Sequence, residues 1–309
     1  MNRLIVMVGL PGSGKSTEAK KLKKLHELSF DKVKIFSSDV YRERLLGNEE
    51  DQSNNQLIFK ALYEDLTSFL QQENVLAILD ATNTTLKSRQ RIFESLPKNK
   101  KVEVVAQVVN LSYEDCILRD SRRKRSVGKE VIDKFYHGYQ HPQKFEGFDY
   151  IFFSYPCDVV SIEKYKDLYL GDLFFNVYMR PFNQHNPHHT MTLGNHCAKV
   201  GESYSVTDPR HVAGYFHDVG KLFTQKFDEK NIAHYYDHQN IGTYWLITHW
   251  NYWVKNQHIL DNIQEILFYI NYHMHMIIKE DSRNKYKQLF GEDLFNKLKD
   301  FEVKDEEAK

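Results

Sequence analysis

The chain has 309 residues, 41% of them hydrophobic and 14% aromatic, which is long for a single core and apolar enough for two domains of about 150 residues each. Its 42 Lys and Arg balance 42 Asp and Glu, which excludes a protein that coats nucleic acid by net charge alone but leaves room for a local basic groove. Cys116, Cys157 and Cys197 form no C-x-x-C pair, the apolar start is too short for a signal peptide, and no run of about 18 apolar residues occurs, so a soluble, reducing, cytoplasmic setting without a membrane partner is expected.

Leu4 to Val8 reads as a buried strand and leads into Gly9 to Thr17, GLPGSGKST, which fits the phosphate-cradling pattern G-x-x-x-x-G-K-[ST]. Glu18 to Leu28 then reads as a helix with its charges outward. The pattern needs this context, because backbone N–H groups of the loop (Gly12, Ser13, Gly14 and on to Thr17) and the helix N-terminus together bind phosphate oxygens. Lys15 would reach the β- and γ-phosphates and Ser16 would hold Mg²⁺, so ATP or another nucleoside triphosphate with Mg²⁺ is expected.

Further apolar runs at Val33 to Phe36, Val75 to Leu79 and Val102 to Val109, separated by helical patterns such as Leu57 to Leu70, predict an α/β domain, a parallel sheet with helices on both faces. Polar groups close each run: Ser37-Ser38-Asp39, Asp80-Ala81-Thr82-Asn83 and Asn110. In open α/β sheets the ligand crevice lies at those carboxyl ends. Asp39 and Arg42 share a helix face beside the loop, either to take a hydroxyl proton and grip an acceptor phosphate, or as a helix cap and a solvated arginine. Asp80 stands where an acidic residue organises Mg²⁺ and its waters, or ends a strand in an ordinary turn. Arg119 to Arg125 is either a set of cations for charge that builds up during transfer or a solvated helix face. No N-K-x-D or T-K-x-D segment is present to read guanine, which favours ATP-dependent transfer.

Over about Leu4 to Tyr150 these segments, GLPGSGKST, SSDVYR (Ser37 to Arg42), DATN (Asp80 to Asn83) and RDSRR (Arg119 to Arg123), resemble the 5′-polynucleotide kinase family. The resemblance implies Asp39 as general base on a 5′-hydroxyl, Arg42 on the acceptor's neighbouring phosphate and Asp80 as support for that pair. It also implies Arg119 and Arg123 as lid arginines on the donor phosphates.

Histidine is concentrated in the second half: His26, His137 and His141 lie in the first 150 residues, and the other 12 of the 15 follow. The change of character between Pro156 and Pro181 suggests domains of residues 1–164 and 165–309. His217-Asp218 has company: His189, His196 and Val200, then His238 and Ile241, Ile270 and His273, Phe301 and Asp305 each fall on the apolar stripe of an expected helix. Any one such histidine is ordinarily a satisfied core residue, but several inward imidazoles and carboxylates are costly to bury unless they pair or bind cations.

The order H…HD…H…H…D, with NPHHTMTLGNH (Asn186 to His196) and HYYDHQNIG (His234 to Gly242), resembles the HD phosphohydrolase superfamily, the two-metal subset in particular. The resemblance implies an all-α HD domain in which His196, His217, Asp218 and Asp305 bind one ion and His238 and His273 join Asp218 on a second. Asp300 competes with Asp305, and His275 lies off the stripe. Mn, Fe, Ni, Co or Zn suits such a site. Lys221, His189 and His234 are candidates to hold substrate phosphate.

Together the halves suggest a bifunctional enzyme that phosphorylates 5′-hydroxyl ends of RNA or DNA and removes a 3′-phosphate or 2′,3′-cyclic phosphate, acting with a separate ligase. Phage relatives usually carry a D-x-D phosphatase, a motif this chain lacks. Two other readings are a small-molecule or nucleotide kinase fused to a nucleotidase or dinucleoside polyphosphate hydrolase, and a kinase regulated by a nucleotide-sensing HD domain.

Overall fold

The computed structural model describes residues 1–48, 51, 53–155, 174–187, 189–253, 261–275 and 280–309. Cys157 and the expected division at 164/165 lie outside the described residues. The chain forms two compact units, one of Met1–Ile132 and Pro142–Val159, the other of Asp133–His141 and Val160–Lys309. Among the described residues no helix is long and apolar enough to cross a membrane.

The first unit is built on a parallel sheet of five strands, β1 (Asn2–Val8), β2 (Lys32–Ser37), β3 (Val75–Asp80), β4 (Val102–Val109) and β5 (Tyr150–Ser154), in the order β2-β3-β1-β4-β5. Every residue of β3 is buried, as expected of a strand covered on both sides, whereas β2 and β5 lie at the edges and alternate in exposure. Ile5 and Met7 pack with Ala19 of the helix Lys15–His26 and with Ile78 and Val105 on one face. Leu4 and Val6 point the other way and are also fully buried, so both faces are covered. The central position of β1 puts the glycine loop at the middle of the sheet's carboxyl edge, between Asp80 and Asn110.

An ion pair that no sequence pattern announces lies beneath that edge. Arg89 donates to Glu146 through Nε at 2.6 Å and Nη2 at 2.8 Å, with both side chains fully buried, and through Nη1 to the Asn83 carbonyl at 3.0 Å. It thereby ties the turn after β3 to the segment that precedes β5. Arg89→Ala would leave Glu146 buried without its cation, so a loss of about 3–5 kcal/mol of stability is expected, measured by chemical denaturation.

The second unit is mainly helical, with a two-stranded antiparallel hairpin, β6 (Gln225–Phe227) and β7 (Ala233–Tyr235). The helix Ile263–Tyr272 runs through its interior, buried at every residue from Ile266 onward, which is why it is apolar all round. Helices Leu193–Glu202 and Pro209–Phe216 cross closely at Gly201 and Gly214, where a Cβ on Gly214 would stand 2.5 Å from the Gly201 nitrogen. Asp133–His141 belongs to this unit because its polar and aromatic groups are used here. Asn271 accepts from the His141 backbone N–H at 2.8 Å, and Tyr136 and Tyr139 pack edge-on against Tyr244.

Candidate active sites

In the first unit the glycine loop is held open by its neighbours. Gly9 N–H donates to the Thr82 carbonyl at 3.1 Å and Asn83 Nδ2 to the Met7 carbonyl at 2.8 Å, so the DATN turn clamps the start of the loop. Gly12 has φ +85°, and a Cβ there would lie 2.3 Å from the Cys116 carbonyl oxygen, which leaves no room for a side chain. Gly14 caps the following helix with no side-chain hydrogen bond, which leaves the first-turn N–H groups of Lys15 and Ser16 without a capping side chain and able to meet an anion, while the Thr17 N–H donates to the Gly14 carbonyl at 3.1 Å. Ser13 is buried in the loop, its hydroxyl without a partner among the described residues.

Lys15 is buried and donates to the Leu10 carbonyl at 2.7 Å. Burial pushes its ammonium down to about 8, although Asp80 counters part of that effect. Asp80 is itself raised by burial and receives a hydrogen bond from Ser16, the arrangement that holds a hydrated Mg²⁺ in a P-loop. In register, Asp80 pairs with Ser37, which brings the SSDVYR segment alongside. Asp39 accepts from Arg42 Nη1 at 2.6 Å, and Arg42 is buried with its Nε unpartnered among the described residues and its Nη2 on Asn55 Oδ1 at 3.2 Å. Burial lowers the Arg42 pKa despite Asp39. An arginine so placed has donor capacity left for an acceptor phosphate.

Of the basic run, Arg119 reaches the loop: its Nη1 would be 3.4 Å from a Cβ on Gly14, and its buried Nη2 has no partner among the described residues. Arg123 is exposed. Two further members of the run, which the resemblance assigns no individual role, have defined partners. Arg125 Nη1 stands 3.3 Å from Asp39 Oδ2, opposite Arg42. Asp120 is buried and accepts from Ser126 Oγ and the Val127 and Gly128 N–H groups, which folds the basic loop back on its helix. The single acid within the basic run RDSRRKR was the only signal of the Asp120 role.

In the second unit four imidazoles and two carboxylates meet. His196 Nε2 lies 2.9 Å from Asp305 Oδ1 and 3.2 Å from His217 Nε2, and His217 Nε2 lies 3.3 Å from Asp305 Oδ1. His238 Nε2 lies 3.0 Å from Asp218 Oδ1 and 3.3 Å from His273 Nε2. Asp218 joins the groups: Oδ1 faces His238 and His273, and Oδ2 is 3.5 Å from both His196 and His217. Asp300 is elsewhere, accepting from Tyr204 at 3.0 Å and Arg210 at 2.8 Å, and His275 packs against the Tyr272 and Tyr286 rings.

Helix ends explain the imidazole orientations. His217 and His273 occupy C-cap positions, and each Nδ1–H donates to the carbonyl three residues back, Gly214 at 2.8 Å and Ile270 at 2.9 Å. These are carbonyls that a helix terminus leaves unpaired. His238 donates likewise to Tyr235 at 2.8 Å and His196 to Ala308 at 3.3 Å. Since a carbonyl only accepts, each Nδ1 carries a proton and each Nε2 points to the centre, where it binds either a second proton or a metal ion. Lone pairs facing one another across 3.2 and 3.3 Å repel unless a proton or a metal cation lies between them. The donors therefore fit two divalent ions with His196, His217 and Asp305 on one side, His238 and His273 on the other, and Asp218 between. His189 precedes the helix Leu193–Glu202 instead of lying on it: its N–H closes a turn on the Asn186 carbonyl at 3.0 Å, and the helix starts only after the extended N-cap Thr192.

Beside the cluster a cavity of about 220 Å³ is lined by Asp218, Asp305, Lys221, His189, His234 and Tyr235 among others. Lys221 Nζ donates to Asp218 Oδ2 at 2.6 Å and Gln184 Oε1 at 2.9 Å and lies 3.3 Å from His189 Nε2. Burial and the Lys221 charge push His189 down to about 4, so it is neutral at pH 7. Gly220 sets the position of the His217-Asp218 turn, since a Cβ there would stand 2.0 Å from the His238 carbonyl. Gly220→Ala is expected to cost about 1–3 kcal/mol of stability and to lower bound metal, as thermal unfolding and elemental analysis would read.

Residues 4–142 match the family model of an AAA domain. The chain is 28% identical over 136 residues to the 2′,3′-cyclic-nucleotide 3′-phosphodiesterase of Mus musculus, a stretch covering 44% of this chain and 30% of that protein. A chain of the Pnkp1/Rnl/Hen1 RNA repair complex is 24% identical, with 43% of this chain and 42% of that one covered and a TM-score of 0.37. Kti12 of Chaetomium thermophilum, solved with ADP-AlF3, is 19% identical, with 52% and 93% covered and a TM-score of 0.42. The matched stretches span less than half of the mouse enzyme and of the repair-complex chain, at 30% and 42%. The family match and the five-stranded parallel sheet agree on a P-loop kinase-like fold for the N-terminal half.

Proposed function

We propose that this chain heals nucleic-acid ends: the first unit transfers the γ-phosphate of ATP to a 5′-hydroxyl, and the second, an HD-type phosphohydrolase, removes a 3′-phosphate or opens and clears a 2′,3′-cyclic phosphate. The observation that carries the reading is the pairing, in one chain, of a P-loop flanked by Asp39 and Arg42 with a six-residue cluster of metal-binding type. In the kinase reaction Asp39 takes the hydroxyl proton as the 5′-oxygen bonds to the γ-phosphorus and the bond to the bridging oxygen breaks, releasing ADP. Arg42 holds the acceptor's neighbouring phosphate. Lys15, Arg119 and Arg123 would neutralise the donor phosphates, and Ser16 with Asp80 would hold Mg²⁺.

In the second unit His196, His217 and Asp305 would hold one divalent ion, His238 and His273 another, with Asp218 shared. Such ions supply Lewis acidity towards phosphate oxygens. Lys221 and His189, at the cavity beside them, would receive the phosphate of the substrate.

A single RNA oligonucleotide with a 5′-hydroxyl and a 3′-phosphate, incubated with ATP, Mg²⁺ and Mn²⁺, tests both activities at once. Gain of the 5′-phosphate and loss of the 3′-phosphate are expected. Consumption of ATP or a mononucleotide with neither end altered would transfer the assignment to a small-molecule kinase and nucleotidase.

A further inference from the structure

The hairpin of the second unit carries groups that the reading above leaves idle. His234 lies on β7 and Tyr236 in the turn immediately after it. Their rings stack with centroids 5.8 Å apart and planes 8° from parallel. Tyr236 is 65% exposed. His234 Nε2–H donates to Asp228 Oδ2 at 3.0 Å, which fixes the orientation of the ring. The Asp228 carboxylate is further engaged by the Lys230 and Ile232 N–H groups, both at 2.9 Å.

Lys226 is the register partner of His234 across the hairpin. Directly paired residues project to the same side, so an exposed ammonium stands beside the rings. The same His234, with Tyr235, lines the cavity into which Lys221 and Asp218 open. The aromatic face is therefore continuous with the phosphate site.

We propose that His234 and Tyr236 form a stacking platform for the terminal base of a nucleic-acid strand whose 3′-phosphate enters the cavity, with Lys226 on the next phosphate along the strand. This rests on the phosphohydrolase reading of the second unit. Stacking uses the π-face that every base has, so the platform grips a strand end without selecting its sequence. A cation set for a second phosphate favours a polynucleotide over a mononucleotide.

The test is fluorescence anisotropy of the full chain, loaded with Mn²⁺, against an oligonucleotide with a dye on its 5′ end and a phosphate on its 3′ end, alongside hydrolysis of the same oligonucleotide and of p-nitrophenyl phosphate. Tyr236→Ala is expected to weaken binding about tenfold and Tyr236→Phe to retain it. The ratio of kcat/KM for oligonucleotide over p-nitrophenyl phosphate should fall with Tyr236→Ala in the same proportion. Lys226→Ala should reduce the slope of log affinity against log salt by about one. Equal binding by the wild type and Tyr236→Ala, or an equal fall on both substrates, overturns the platform. Weakened binding without any hydrolysis by the wild type keeps the platform and removes the phosphohydrolase reading instead.

Discussion

An Asp218→Ala chain is expected to retain neither divalent ion and to lose phosphate-ester hydrolysis, while phosphate transfer by the first unit continues. Asp218 is 3% exposed and is the only group whose two oxygens face both halves of the cluster. Lys221 also rests on it. Without it Lys221, His238 and His273 would lose the buried carboxylate they face, with Asp305 left to His196 and His217, and a metal-free variant should lose about 3–5 kcal/mol of stability. Metal content per chain, with thermal unfolding in the presence of chelator, reads both effects. Retention of one full equivalent of metal would mean that Asp218 does not join the two positions. Asp305→Ala should release one ion and Asp300→Ala none.

The same cluster predicts a pH effect. Burial alone would push His196 down, but the Asp218 and Asp305 carboxylates outweigh it and hold the metal-free imidazole up to about 9. Metal must then displace a proton at pH 7, so affinity should weaken as pH falls. Titration in two buffers of different ionisation heat would show the released proton.

How much of this was legible in the sequence depends on the kind of interaction. β1, β3 and β4 announce themselves because strands buried on both faces are continuous apolar runs, and their carboxyl ends are marked by polar residues. β5 carries no such run: at the sheet edge its Tyr150 and Phe152 are half exposed, and its pattern blends with the aromatic segments around it. The Arg89 and Glu146 pair is 57 residues apart in sequence and has no periodic signature. For the histidines, helical periodicity points to residues that do meet in one cluster, but for an incomplete reason. His217 and His273 lie at helix C-caps, where an imidazole can satisfy a terminal carbonyl and still present Nε2, a constraint of tautomer that stripe counting does not contain. Asp305 over Asp300 is a matter of tertiary partners, since Tyr204 and Arg210 occupy the latter.

Lys15→Ala should reduce phosphate transfer by about 10²–10³-fold or more and leave hydrolysis by the second unit intact. The ammonium is buried at the head of a loop whose other donors, backbone amides and hydroxyls, are uncharged, so none of them can take its place on the transferring phosphate. Arg119 reaches the same loop from outside, and Lys15→Arg would bring a bulkier group into a loop already in contact with Cys116. Burial that lowers Lys15 to about 8 carries a second consequence. The charged form is the one that binds phosphate, so nucleotide affinity should be level below pH 7 and decline as pH rises through 8, with proton uptake on binding in that range. In Lys15→Ala the decline should vanish along with most of the affinity. A decline that persists would assign the titration to a group other than Lys15.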